Sequence, residues 1–161
     1  MSEKTIDYSA LQAVVDALTV RFGKSLLDYN FEKGELAVHV GREILLDAVT
    51  FLNKEQGFNA LNDIIGLDNQ RTPVEGKPRF SVLYQLYKFP DCVRVRLVVD
   101  VAEDQPLPSI TAVFKAADWA EREIFDMFGL RFEGHPGLTR IYMADDFTGF
   151  PLRKDFPLAG E

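Results

Sequence analysis

Cysteine is nearly absent: the chain has a single thiol, Cys92, in 161 residues. A lone cysteine forms no internal disulfide, and by itself it holds neither an iron–sulfur cluster nor a structural zinc. It falls in the alternating run Asp91-Cys-Val-Arg-Val-Arg-Leu-Val-Val-Asp-Val101, where it reads as a small buried strand residue. One thiol also suits a reducing, cytosol-facing compartment. Histidine is scarce as well. His39 and His135 have no metal-ligand spacing to each other and no cysteine partner. No apolar run approaches the roughly 20 residues a helix needs to cross a bilayer. The polar opening Met-Ser-Glu-Lys-Thr-Ile-Asp carries no signal-peptide pattern. Positive charge is in deficit, with 18 Lys and Arg against 25 Asp and Glu, a net −7. With no Lys/Arg-rich run to offset it, the chain should repel nucleic acid and anionic lipid. Gly-x-Ser-x-Gly elbows, Walker-type loops and Gly-x-Gly-x-x-Gly are missing too, so acyl-transfer, nucleotide and dinucleotide sites have no sequence support.

What is present is an ordinary globular composition, 47% hydrophobic and 27% charged, enough for one domain with a modest extension. Ser9 is placed to cap a helix in which Leu11, Val14, Val15, Leu18 and Phe22 recur at helical spacing before Gly23. A β-hairpin follows, turning at Glu32-Lys33-Gly34. A second helix is predicted over Arg42 to Lys54, with Ile44, Leu45, Ala48, Val49 and Leu52 on one side. Next come a strand in Phe58 to Asp68 and a polar loop. Two longer strands, Phe80 to Phe89 and Cys92 to Val101, are joined closely enough at Pro90-Asp91 to pair antiparallel. The Pro-rich, acidic stretch Ala102 to Thr111 then punctuates the chain. This pattern predicts an α+β fold, a largely antiparallel sheet with helices on one face followed by an extended C-terminal tail. The parts are an αββαβββ body over 1–102, a linker and signature helix over 103–133, and a C-terminal segment over 134–161.

The signature helix, Asp118-Trp-Ala-Glu-Arg-Glu-Ile-Phe-Asp-Met-Phe-Gly129, holds four carboxylates. Asp118 and Glu121 have capping-box spacing, which predicts that Asp118 accepts from first-turn amides while Glu121 reaches back to the Asp118 amide. Winding the rest puts Ala120, Ile124, Met127 and Phe128 on an apolar arc. Arg122, Glu123 and Asp126 face away from it with Trp119. Arg122 is an i, i+4 partner of both Asp118 and Asp126, so the charged arc is expected to compensate itself. Trp beside Arg is a composition enriched in protein–protein contacts. A hydrolytic reading would use Glu123 and Asp126 as ligands or acid–base groups. Carboxylate-bridged helical sites, however, pair Glu-x-x-His motifs, and no such histidine stands here. Beyond the helix, residues 130–161 keep neither helical nor strand period but carry Phe132, Ile141, Tyr142, Phe147, Phe150 and Phe156. So aromatic a tail is not expected to stay solvated. It either lies along its own domain or wraps over another protein.

Trp119 to Pro136, with Arg140-Ile-Tyr-Met143 and Pro151-Leu-Arg-Lys-Asp-Phe-Pro-Leu158 after it, closely resembles the C subunit of proton-pumping NADH–quinone oxidoreductase, respiratory complex I. The match reaches back to Leu107 and covers about the last third of the chain; the first hundred residues match in general pattern and length. The resemblance implies a structural subunit of the hydrophilic arm with no catalytic site, no cofactor and no metal of its own. It would be held against the D subunit, which is related to the large subunit of nickel–iron hydrogenases, and against other hydrophilic-arm subunits. Iron–sulfur clusters and FMN would lie in other subunits of a complex using NADH and quinone. Attachment would be peripheral, on the cytoplasmic face of the inner membrane, and indirect through the complex.

Carried over by position, Trp119, Glu121, Arg122, Glu123 and Asp126 match the helical signature. Gly134, His135, Pro136 and Arg140 match the turn after it, and Pro151, Leu152, Arg153, Lys154, Asp155, Phe156 and Pro157 match the closing segment. The resemblance gives them structural or docking roles. Because the sequence stops soon after Phe156, the D-type partner is expected to be a separate polypeptide. Rival readings are the equivalent subunit of a membrane-bound hydrogenase, formate hydrogenlyase or photosynthetic-type dehydrogenase, a free-standing hydrolase, or an unrelated binding module.

Overall fold

Period-two burial builds the core. Leu36, Val38 and Val40 of one strand, Phe80, Val82, Tyr84 and Leu86 of a second, and Val95, Leu97, Val99 and Val101 of a third are all buried. Their alternate neighbours Arg94, Arg96, Gln85 and His39 remain accessible. In the computed structural model, which describes residues 8–157, these strands belong to one five-stranded sheet. Helix α1 (Ser9–Phe22) leads into strands β1 (Leu26–Glu32) and β2 (Glu35–Val40), then helix α2 (Leu45–Lys54). Strands β3 (Ala60–Asp68), β4 (Phe80–Lys88) and β5 (Val93–Val101) follow. The spatial order is β1-β2-β5-β4-β3, and every pairing is antiparallel except β2 with β5. The architecture is therefore α+β and largely antiparallel.

The helices lend their apolar stripes to the buried face. Leu11, Val14, Val15 and Leu18 of α1 and Leu45, Ala48, Val49, Phe51 and Leu52 of α2 join the same core. The opposite sheet face mixes apolar residues such as Leu83 and Val98 with paired polar groups: Glu35 accepts from Arg94 and Arg96, and Ser81 donates to Asp100. Two expectations fail here. Helix α1 begins at Ser9 itself with Tyr8 in the cap position, and no side-chain cap bond is made. Cys92 is exposed, in the turn before β5 with φ +59°, not buried in the strand. It shares strand parity with Arg94 and Arg96, so alternation already placed it on the solvated side.

After β5 the chain forms β6 (Leu107–Pro108), helix α3 (Ala117–Phe128) and β7 (Phe132–Glu133), with β6 and β7 pairing parallel. Gly129, in the left-handed conformation at φ +77°, ends α3 as read from sequence. The helix packs on edge strand β3, burying Ile124, Met127 and Phe128, a contribution of about 1.5–3 kcal/mol for each large side chain. Gly66 of β3 makes this contact possible, because a Cβ there would lie 2.9 Å from the Phe128 ring. That ring is also held edge-on against Phe80, 6.4 Å between centroids. No helix among the described residues is long and apolar enough to cross a membrane.

Gly66→Ala should push α3 off β3 and lower stability by about 1–3 kcal/mol, the usual range for overpacking a filled contact. A urea midpoint unchanged from wild type would show that helix and strand are not in tight contact at this point.

Candidate partner-docking surface

The four carboxylates of α3 meet four different environments. Asp118 is the second helical residue and makes no capping bond; Ala116 is the cap, without a side-chain bond. Glu121 is fully buried, and the Asp118 N–H donates instead to the Lys115 carbonyl at 3.2 Å. The Glu121 Oε1 accepts the Ile110 N–H at 2.8 Å, tying the 109–111 strip to the helix, while Oε2 has no hydrogen-bond partner among the described residues. Burial outweighs the stabilising Ile110 N–H, so the carboxyl is held above its ordinary value of 4.5. The capping-box spacing is real, but tertiary burial of Glu121 replaces the box.

Asp126 is the second correction. It does not pair with Arg122 along the helix but is buried, with donors converging on it from the tail. Its Oδ2 accepts the backbone N–H groups of Ile141, Tyr142 and Met143 at 3.0, 2.7 and 3.0 Å, and Oδ1 accepts from Arg140 at 3.1 Å. Desolvation raises its pKa, but the three amides and the guanidinium prevail and hold it below the ordinary 3.8. Arg122 likewise reaches across to the tail, donating to the Thr139 carbonyl and hydroxyl at 3.2 and 3.0 Å. Its guanidinium lies 4.9 Å over the Trp119 ring. The charged arc is thus compensated through tertiary contacts with the turn after the helix, not by i, i+4 pairs. Glu123 remains exposed.

The His135 side chain is buried; its Nδ1 accepts the Gly137 N–H at 3.0 Å, so Nε2 carries the proton and donates toward Asp118. Pro136 is exposed in the same turn. Arg140 also donates to the Gly149 carbonyl and stacks near Phe147 and Phe150. The closing segment returns to the body at two clasps. Arg153 donates to the Phe128 carbonyl at 2.7 Å, pairs with Glu103 and lies 4.3 Å over Phe150. The Leu152 N–H meets the Met127 carbonyl at 3.2 Å. In the second clasp, Asp68 at the end of β3 accepts the Lys154 N–H at 2.8 Å and two bonds from Arg79, which also grips Asp155. Arg79 bonding, opposed by desolvation but joined by the amides of Lys154 and Gln70, lowers the Asp68 pKa to about 2. Pro151 is half-buried, and Phe156 packs against Phe147, 6.0 Å between ring centroids.

Of the two fates left open for the tail, residues 134–157 lie along their own chain. What they leave outside is aromatic: Trp119 is 64% and Tyr142 62% exposed. Between them lies a shallow cavity of about 240 Å³ against β3. The pair that a hydrolytic site would use is split, with Asp126 saturated in the interior and Glu123 out in solvent. Among the described residues no three His, Cys, Asp or Glu side chains gather as a metal-ligand set. Sequence reading missed Asp68 and Arg79, whose body positions give no linear hint that they hold a segment about 80 residues away.

Residues 38–161 match the family model described as "Respiratory-chain NADH dehydrogenase, 30 Kd subunit". The chain is 41% identical over 144 residues to the C subunit of the NADH-quinone oxidoreductase of Citrifermentans bemidjiense, covering 89% of this chain and 87% of that one. Among solved structures it is similar to the trypsin-resistant fragment (1–134) of Nqo5, at 35% identity and TM-score 0.68, over 80% of this chain and 99% of the fragment. The fold is shared with a chain in the structure of the membrane-bound sulfane sulfur reductase, an archaeal respiratory membrane complex. That match has TM-score 0.75 at 20% identity, over 91% of this chain and 85% of that one.

Two measurements check these buried carboxylates. Folding favours the protonated form of a carboxyl held above 4.5, so Glu121 contributes most below 4.5 and loses its contribution as pH rises through its raised pKa. The urea midpoint of Glu121→Gln should therefore gain on wild type across that window; parallel curves would contradict the assignment. Asp68 has the opposite sign, stabilising above 3.8 and failing as pH falls toward about 2. At neutral pH, Asp68→Ala should open the clasp and speed trypsin cleavage after Arg153 and Lys154 at least about tenfold, the change that corresponds to 1.4 kcal/mol of local opening. Unchanged cleavage would show that the tail does not depend on Asp68.

Proposed function

The chain belongs to the family of respiratory-chain NADH dehydrogenase 30 kDa subunits, and on that premise we propose that it is a non-catalytic structural subunit of a complex I-type enzyme. In this reading it stands in the hydrophilic arm, docked against the hydrogenase-related D-type subunit. It supports electron transfer to quinone coupled to ion translocation without touching the reacting groups. NADH, FMN and iron–sulfur chemistry belong to other subunits. Membrane attachment, on the cytoplasmic face of the inner membrane, is indirect through the complex.

The observation that carries the reading is how the signature residues are used. Glu121, Arg122, Asp126, His135, Arg140, Arg153 and Asp155 all hold one part of the chain to another. A general acid or base must instead face a substrate. The result is a stiff, aromatic-bearing surface in which the tail's conformational entropy is already lost before a partner arrives. Such preorganisation favours tight docking. Trp and Tyr are among the residue types that dominate interface energetics, each costing about 2 kcal/mol or more when removed from a well-packed centre.

Mass spectrometry of what co-purifies with the tagged chain from mildly solubilised membranes tests this. The expected set is a hydrogenase-related large subunit, iron–sulfur proteins and membrane subunits, recovered together. A partner bearing a nickel-ligating cysteine set would move the assignment to the related hydrogenase complexes. Recovery of the chain alone from an intact preparation would overturn the docking role.

A further inference from the structure

On α3 the chain supplies firm partners to three of the four carboxylates: His135 for Asp118, the Ile110 amide for Glu121, and Arg140 with three amides for Asp126. Glu123 differs. It is exposed, makes no ion pair among the described residues, and receives only the Tyr142 hydroxyl at 3.5 Å, the outer limit for a hydrogen bond. Asp63, at the irregularity of β3 between Leu61 and Asp63, lines the same cavity as Glu123. It too is exposed and without an ion pair among the described residues, one oxygen accepting the next amide at 2.8 Å. Both acids line the 240 Å³ cavity between Trp119 and Tyr142, whose other residues include Ala116 and Ala120 and neither Lys nor Arg. That volume is below the roughly 300–1,000 Å³ of small-molecule sites and suits a single inserted side chain.

We propose that this slot receives an arginine side chain carried by the partner subunit, a proposal that rests on the docking reading above. Each wall fits that occupant. A guanidinium can bridge two carboxylates and stack on aromatic faces, which a hydrated ammonium does less well. Its aliphatic stem needs small apolar neighbours, which Ala116 and Ala120 provide. The charge complementarity extends to the whole chain, which is acidic at net −7. Arg122 has already committed its guanidinium to Trp119 and the Thr139 carbonyl, so the indole is fixed while the acids opposite wait for a cation from outside.

The test uses the tagged full chain in cells that make the complex. The double variant Glu123→Gln with Asp63→Asn removes both charges, Glu123→Lys reverses one, and Leu27→Ala, exposed on the distant edge strand, is the control. Thermal unfolding of the purified chains checks folding, which exposed substitutions should leave unchanged. Partner retention should fall at least about tenfold for the double variant, further for Glu123→Lys, and not for the control. A photo-crosslinking residue in place of Tyr142 should label an arginine-containing partner peptide. If the double variant retains its partners like wild type, or the crosslinked peptide lacks an arginine, the slot assignment is wrong while docking stands. If the wild-type chain retains no partner at all, both readings fall.

Discussion

A carboxylate can be buried at neutral pH only where donors converge on it, because removing the charge from water otherwise costs several kcal/mol. Asp126 meets that condition with groups that all come from the tail: three consecutive amides and one guanidinium. The dependence is mutual. Without the tail the carboxylate would be stranded, and without the carboxylate the amides of residues 141–143 would have no acceptor in an irregular segment. Much of the ordering after residue 134 follows from this one contact. Arg140 is drawn in to meet Asp126, its guanidinium then organises Phe147 and Phe150, and Arg153 continues the stack to Phe80.

The Asp68–Arg79–Asp155 clasp repeats the logic at the far end of the tail, with a body carboxylate accepting a tail amide. Glu121 works inward instead, tying the strip before α3 to the helix. The helix is thus a hub. Its buried side holds β3 through Gly66 and Phe128, its acids hold the chain before and after it, and its remaining face displays Trp119. Three of its four acids are thus taken up by the chain itself, while Glu123 and two wet aromatics stay on the outside.

Much of the body was legible because local signals and tertiary needs agree. The hairpin, the helix end at Lys54 and the paired strands on either side of Pro90 match the reading, although Glu32, read into the turn, closes β1, and the α-helix starts at Leu45 after a 3-10 turn over Arg42–Ile44. The parallel contact between β2 and β5 was not legible, since the intervening helix and two strands leave their pairing to topology. Of the residues singled out, Glu121, Arg122, Asp126, Arg140 and Arg153 do bridge separate parts of the chain, but the partners each one finds were not legible. Asp118 and Glu121 have the spacing of a capping box, yet burial under the 109–111 strip claims Glu121. Arg122 and Asp126 have the spacing of an ion pair, yet each finds a better partner in the tail turn. Spacing along a helix registers only intrahelical geometry, whereas contacts such as Arg79 with Asp155 are set by the fold. Cys92 departs from its expected burial for a simpler reason, since its parity with Arg94 and Arg96 already points outward.

Amide hydrogen exchange on the free chain and on the assembled complex would probe the preformed tail most directly. If Asp126 and Asp68 hold the tail without help, the amides of Ile141, Tyr142, Met143 and Lys154 will be protected in the free chain. Added protection on assembly will then centre on the α3 face around Trp119 and on Tyr142. Exchange of those four amides at unstructured rates in the free chain, with protection gained only on assembly, would show that the partner folds the tail and would contradict a preformed docking surface.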